Sequence, residues 1–126
     1  MKIERLDHLV LTVRNVEATC DFYSRVLHFE AEHFAGGRCA LRFGNQKINL
    51  HQADAVIAPH ALRPTPWSAD LCFVTDTPIA EVISQLRSLS VSVEEGLVQR
   101  TGAAGPITSV YFRDPDSNLI EVSKYD

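Results

Sequence analysis

The chain has no excess of positive charge, no long apolar run and no paired-cysteine pattern. Its 126 residues carry 12 Lys and Arg against 16 Asp and Glu, a net charge of −4. No Lys/Arg cluster is long enough to release many counterions, which speaks against a nucleic-acid surface. No stretch nears the ~20 apolar residues of a membrane span. The opening Met1-Lys2-Ile3-Glu4-Arg5 sets acid and base before a short apolar segment, unlike a signal peptide. Cys20, Cys39 and Cys72 are odd in number and lack C-x-x-C spacing, so neither a disulfide framework nor a structural zinc site is expected. The expectation is a cytoplasmic protein with no membrane or nucleic-acid partner.

What is present suits one domain with a real core, with 45% hydrophobic and 22% charged residues. Two stretches have helical periodicity. Asn15 precedes a stripe of Val16, Cys20, Tyr23, Val26 and Leu27, and Pro78 opens a second of Ile79, Val82, Ile83, Leu86 and Leu89. Strands are predicted at Leu6–Val13, Phe29–Phe34, Arg38–Phe43, Lys47–Gln52, Ala69–Thr75, Val91–Val98, Ile107–Phe112 and Asn118–Lys124. The order strand, helix, strand, strand, strand therefore occurs twice. An offset of 62 residues lays Asp7-His8-Leu9-Val10 over Ala69-Asp70-Leu71-Cys72, and Ile48-Asn49-Leu50 meets Ile120-Glu121-Val122. The expected architecture is α+β: two βαβββ modules (1–52 and 68–126), joined by a Pro-containing linker at 53–67, forming a single domain over 1–126.

Three ionisable residues interrupt apolar strands at repeat-related positions: His8, Asp70 and Glu121. Burying a carboxylate costs several kcal/mol unless it is paired or ligates a metal. Asn49 is the repeat partner of Glu121, and His51 shares its strand face. One imidazole, two carboxylates and a further N/O donor describe a divalent-metal site. Each residue also has an ordinary alternative: a hydrogen-bonded strand histidine, a turn-capping Asp70, a Glu121 that protects a sheet edge. His51 is open to three roles, as fourth ligand, proton-transferring base or exposed strand residue. Between Arg100 and Pro106 the chain is Gly-rich and basic. Backbone N–H groups around Gly102 and the Arg100 guanidinium suit an anion there, unless the segment is simply an exposed loop.

The segments Asp7-His8-Leu9-Val10-Leu11-Thr12-Val13 and Phe22-Tyr23-Ser24-Arg25-Val26-Leu27 resemble the opening of the vicinal oxygen chelate superfamily. The close, Tyr111-Phe112-Arg113-Asp114-Pro115-Asp116-Ser117-Asn118-Leu119-Ile120-Glu121-Val122, resembles its F-x-D-P-D-G-x-x-I/L-E ending, with Ser117 where the family has Gly. Asn49-Leu50-His51, Asp70-Leu71-Cys72-Phe73 and Arg100-Thr101-Gly102 are similar to the glyoxalase-domain-containing protein five group. The resemblance implies a glyoxalase-like fold and metal ligands at His8, Asp70 and Glu121. It also implies a fourth ligand at Asn49, with His51 beside it. Asp70 stands where His is usual, and Asn49 where glyoxalase I has Glu.

The resemblance further implies a homodimer and a metal-dependent lyase or isomerase acting on a small, oxygen-rich, anionic substrate. The cation would be Mn, Fe, Ni, Co, Mg or Zn, with Asn49, Arg100 and Gly102 contacting substrate. A metal-free ligand-binding protein of the bleomycin-resistance kind and an extradiol-type dioxygenase are the alternative functions.

Overall fold

Asn15 starts the first helix as its sequence position predicts. Its backbone is extended (φ −146°, ψ 105°), and its side chain accepts the Ala18 amide hydrogen at 2.9 Å. In the computed structural model, which describes residues 1–126, this helix is α1 (Val16–Leu27). It ends at His28 in the left-handed region. Around it lie strands β1 (His8–Val13), β2 (Glu30–Phe34), β3 (Arg38–Phe43) and β4 (Gln46–Gln52). The second set comprises β5 (Asp70–Val74), helix α2 (Ile79–Ser88), β6 (Val93–Gly102), β7 (Gly105–Arg113) and β8 (Leu119–Tyr125). The twice-repeated βαβββ order is therefore present.

The chain divides into two compact units, Met1–Ser68 and Ala69–Asp126. Each holds one four-stranded sheet, ordered β1-β4-β3-β2 in the first and β5-β8-β7-β6 in the second. In both, the first strand pairs in parallel with the last, and the other pairings are antiparallel.

One face of each sheet packs on its helix. In the first unit Leu11, Val13, Leu41, Ile48 and Leu50 are buried, as are Val16, Cys20, Tyr23 and Val26 of α1. Phe29 extends this core by stacking on Phe43 at 4.5 Å and Tyr23 at 5.7 Å. In the second unit Ile79, Val82 and Leu86 of α2 join Val110, Phe112, Ile120 and Val122. Because strand side chains alternate, the polar residues between these apolar ones occupy the opposite sheet face.

Three details differ from expectation. Cys20 and Cys39 form a disulfide, contrary to the prediction of none. Cys20 lies on the inner stripe of α1 and Cys39 points inward from β3, a proximity that neither count nor spacing reveals. With that pair bonded and Cys72 the free thiol, cysteine usage no longer supports a reducing compartment. The structure does show that no helix is long and apolar enough to cross a membrane.

Pro78 sits one residue before α2, in an extended conformation (φ −55°, ψ 134°). The expected loop over 100–106 is instead a tight hairpin, with Thr101 opposite Pro106 and Gly102 opposite Gly105. A Cβ at Gly102 would lie 2.8 Å from the Tyr125 hydroxyl, so glycine lets that ring pack close against the hairpin.

The D-P-D turn is built around Asp114. Its Oδ1 accepts the backbone N–H groups of Asp116 and Asn118, each at 2.9 Å, while Oδ2 accepts from Asn118 Nδ2 at 2.9 Å. Asn118 Oδ1 in turn accepts the Ala69 amide at 2.9 Å, tying the turn to the start of β5.

Candidate functional site

The face of the first sheet away from α1 carries His8, Lys47 and Arg42 in one row, Val10, Asn49 and Ala40 in the next, then Thr12 with His51. His8 is exposed, and its Nδ1 lies 2.8 Å from Asp7 Oδ1. That bond holds the Asp7 carboxyl below the usual carboxylate range. A carboxylate on Nδ1 favours the tautomer with its proton there and leaves Nε2 with a lone pair for a metal or substrate. Asn49 and His51 are half-buried two residues apart on β4. The His51 Nδ1 is fully buried and has no hydrogen-bond partner. Leaving such an atom unsatisfied costs about 1–3 kcal/mol.

The corresponding face of the second sheet bears Asp70 and Cys72 on β5, Glu121 and Ser123 on β8, and Ser109 and Tyr111 on β7. Ser109 donates to Glu121 Oε1 at 2.6 Å, and Ser123 lies 3.1 Å from the same oxygen and 2.7 Å from Ser109 Oγ. Both serines are buried. They give the half-buried Glu121 carboxylate a fixed orientation. Cys72 Sγ lies 3.3 Å from Ser123 Oγ. Burial pushes the Cys72 thiol up; the Ser123 hydrogen bond opposes it, and Glu121 and Asp70 add smaller upward effects. Cys72 is therefore a neutral thiol at neutral pH. Burial likewise raises Tyr111, with Glu121 adding to the effect and Arg100 opposing it.

Arg100 is already engaged. It donates to the Tyr111 hydroxyl at 3.2 Å, to the Gln99 carbonyl at 2.9 Å and to Glu95 at 3.2 Å, and its guanidinium lies 5.5 Å from the Tyr111 ring centre. The Ala104 amide, beside Gly102 and Ala103 in the hairpin, donates to the Tyr125 hydroxyl at 3.0 Å.

The structure thus brings His8, Asn49 and His51 to one face of the first unit, and Asp70 and Glu121 to one face of the second. No three or more His, Cys, Asp or Glu side chains are gathered in this structure as a group that could hold a metal ion. Each unit nevertheless holds one donor of a type that suits a divalent cation: in the first an imidazole with a carboxylate on its Nδ1, in the second a carboxylate oriented by two hydroxyls. Asp7, Ser109 and Ser123 were missed in the sequence. Asp7 had a signal, its adjacency to His8, and so did Ser123, two residues from Glu121 on one strand face; Ser109 had none, because only strand pairing places it beside Glu121.

A profile of the glyoxalase/bleomycin resistance protein/dioxygenase superfamily matches residues 5–122. The chain belongs to that superfamily. It is 56% identical over 125 residues to the virulence protein STM3117 of Salmonella typhimurium, covering 99% of this chain and 87% of that one. The crystal structure of STM3117 superposes with a TM-score of 0.97, covering 100% of both chains. A glyoxalase domain-containing protein of Mycosarcoma maydis, RDO1, is 50% identical over 99% of this chain and 70% of its own length. The lactoylglutathione lyase of Agrobacterium tumefaciens has a TM-score of 0.75 at 21% identity, covering 98% of this chain and 96% of that one, which establishes the shared glyoxalase-like fold.

Proposed function

We propose that this member of the glyoxalase superfamily is a divalent-metal-dependent lyase or isomerase acting on a small, oxygen-rich, anionic substrate. The observation that carries the reading is the paired support of two donors, Asp7 on His8 Nδ1 and Ser109 with Ser123 on Glu121 Oε1. Such support orients ligands and raises their affinity for a metal. His8, Asp70 and Glu121 are the proposed ligands, as the superfamily's motifs imply.

When bound, the cation would supply Lewis-acid polarisation of a substrate oxygen. The two carboxylates offset its charge. Asn49 presents a neutral amide for a substrate hydroxyl or carbonyl. His51, half-buried beside Asn49 on β4, holds or moves the proton.

Calorimetric titration of chelator-treated protein with Mn²⁺ and Zn²⁺ tests the reading. Saturable binding near one ion per chain is expected, weakened well over tenfold in Glu121→Gln and in His8→Ala. Absence of saturable binding would overturn it and leave the metal-free ligand-binding alternative.

A further inference from the structure

On the same face of the first sheet a cavity of about 290 Å³ opens beside His51 and Asn49. Phe34 and Ile57 supply its apolar wall, and Arg38 and Lys47 its positive charge. Neither cation has a carboxylate within ion-pairing distance, in contrast to Arg42, which Glu32 holds at 2.7 Å, and Arg100, which Glu95 holds at 3.2 Å. The Arg38 guanidinium rests 6.0 Å from the Phe34 ring centre, which orients it without neutralising it. Asp7 and Glu32 feel the charge of Lys47, but each is already bonded to another partner, His8 and Arg42 respectively. The cavity is thus a half-apolar pocket with surplus positive charge.

We propose that this cavity is the subsite for the substrate's anionic group, an organic carboxylate gripped by Arg38 and Lys47 with its carbon skeleton against Phe34 and Ile57. The inference rests on the reading of this sheet face as the place where substrate sits, and it moves charge recognition from the engaged Arg100 to Arg38 and Lys47. Arg38 suits a carboxylate because its planar fork can donate two parallel hydrogen bonds, while Lys47 adds a point charge. At about 290 Å³ the space lies at the small end of ligand pockets, which selects a compact molecule.

The test is an NMR titration of the full chain, treated with EDTA so that its outcome does not depend on cation binding. Benzoate and inorganic phosphate are the probes. Benzoate is expected to shift the Asn49 amide and the His51 ring saturably, with an affinity that falls as NaCl rises. Phosphate, lacking an apolar part, is expected to bind more weakly. Arg38→Gln and Lys47→Gln, made singly and together, are expected to weaken benzoate, by at least tenfold in the pair, with the rest of the spectrum unchanged. Arg113→Gln, a charge control outside the cavity, leaves the affinity as it was. Shifts that fail to saturate, that survive the double substitution or that centre on Arg100 would overturn the proposal, as would phosphate binding more tightly than benzoate.

Discussion

Asp7 Oδ1 stands 2.8 Å from His8 Nδ1, so two residues adjacent in sequence form a carboxylate–imidazole pair at the head of β1. A histidine so held has its tautomer set and only Nε2 left for other work. Asp7→Ala should therefore lower divalent-metal affinity about tenfold while leaving the fold intact. Calorimetry reads the affinity, and nitrogen chemical shifts of the His8 ring should show the loss of the single tautomer. Equal affinity in the two proteins would detach Asp7 from the site.

Glu121 depends on Ser109 in a similar way. Ser109→Ala removes the 2.6 Å donor to Oε1 without adding bulk. Metal affinity should fall about tenfold, less than in Glu121→Gln, because Ser123 remains 3.1 Å from the same oxygen. If loss of the hydroxyl cost as much as loss of the carboxylate's charge, Ser109 would be acting as more than an orienting group.

Asp114 predicts a stability effect remote from this chemistry. Asp114→Ala would strand two buried backbone N–H groups and the Asn118 amide, costing about 3 kcal/mol in urea unfolding. Asp114→Asn, which keeps an acceptor for part of the network, should lose less.

Ser117 adopts φ 57° at the corner of that turn, a conformation that a Cβ disfavours. Its carbonyl, the group that accepts from Arg113, is backbone and survives substitution. Ser117→Gly should stabilise the protein by about 0.5–1 kcal/mol, the relief of strain exceeding the added freedom of the unfolded chain. A lower melting temperature would contradict this.

The Arg42 guanidinium bonded to Glu32 holds the Glu32 carboxyl below the usual carboxylate range. A depressed native value means that the pair's contribution is complete above the ordinary glutamate pKa of about 4.3 and disappears as pH falls through the lowered one. In a carbon-detected NMR titration Glu32 should titrate below the other exposed glutamates, and Arg42→Ala should return it to their range. Stability at neutral pH should change little, since the pair is open to solvent.

Helix positions, strand order and the doubled βαβββ plan were legible because they rest on local signals. Asn15 before an apolar stripe reads as an N-cap, and alternation in Leu9-Val10-Leu11-Thr12-Val13 assigns faces before any fold is known. Asn49 and His51 were legible as sharing a face for the same reason, whereas only the parallel pairing of β1 with β4 sets His8 on that face. The Arg100–Gly102 segment was harder. Its composition suggests a loop, yet pairing with β7 extends the strand, and Tyr111 and Glu95 take up the guanidinium. Arg38 and Lys47 were equally hidden, because an arginine without a carboxylate is recognised only after its neighbours are placed.

Periodicity, turn residues and the two terminal motifs determined the architecture and family of this protein from its sequence, since each acts through neighbours a few positions away. Tertiary structure alone decided which charges are satisfied and which remain available. It joined Cys20 to Cys39, set Ser109 against Glu121, paired Arg42 and Arg100 with acids and left Arg38 and Lys47 facing a cavity. The reason is physical: hydrogen bonds and ion pairs act over a few ångströms, and only the folded backbone brings residues so distant in sequence within that range.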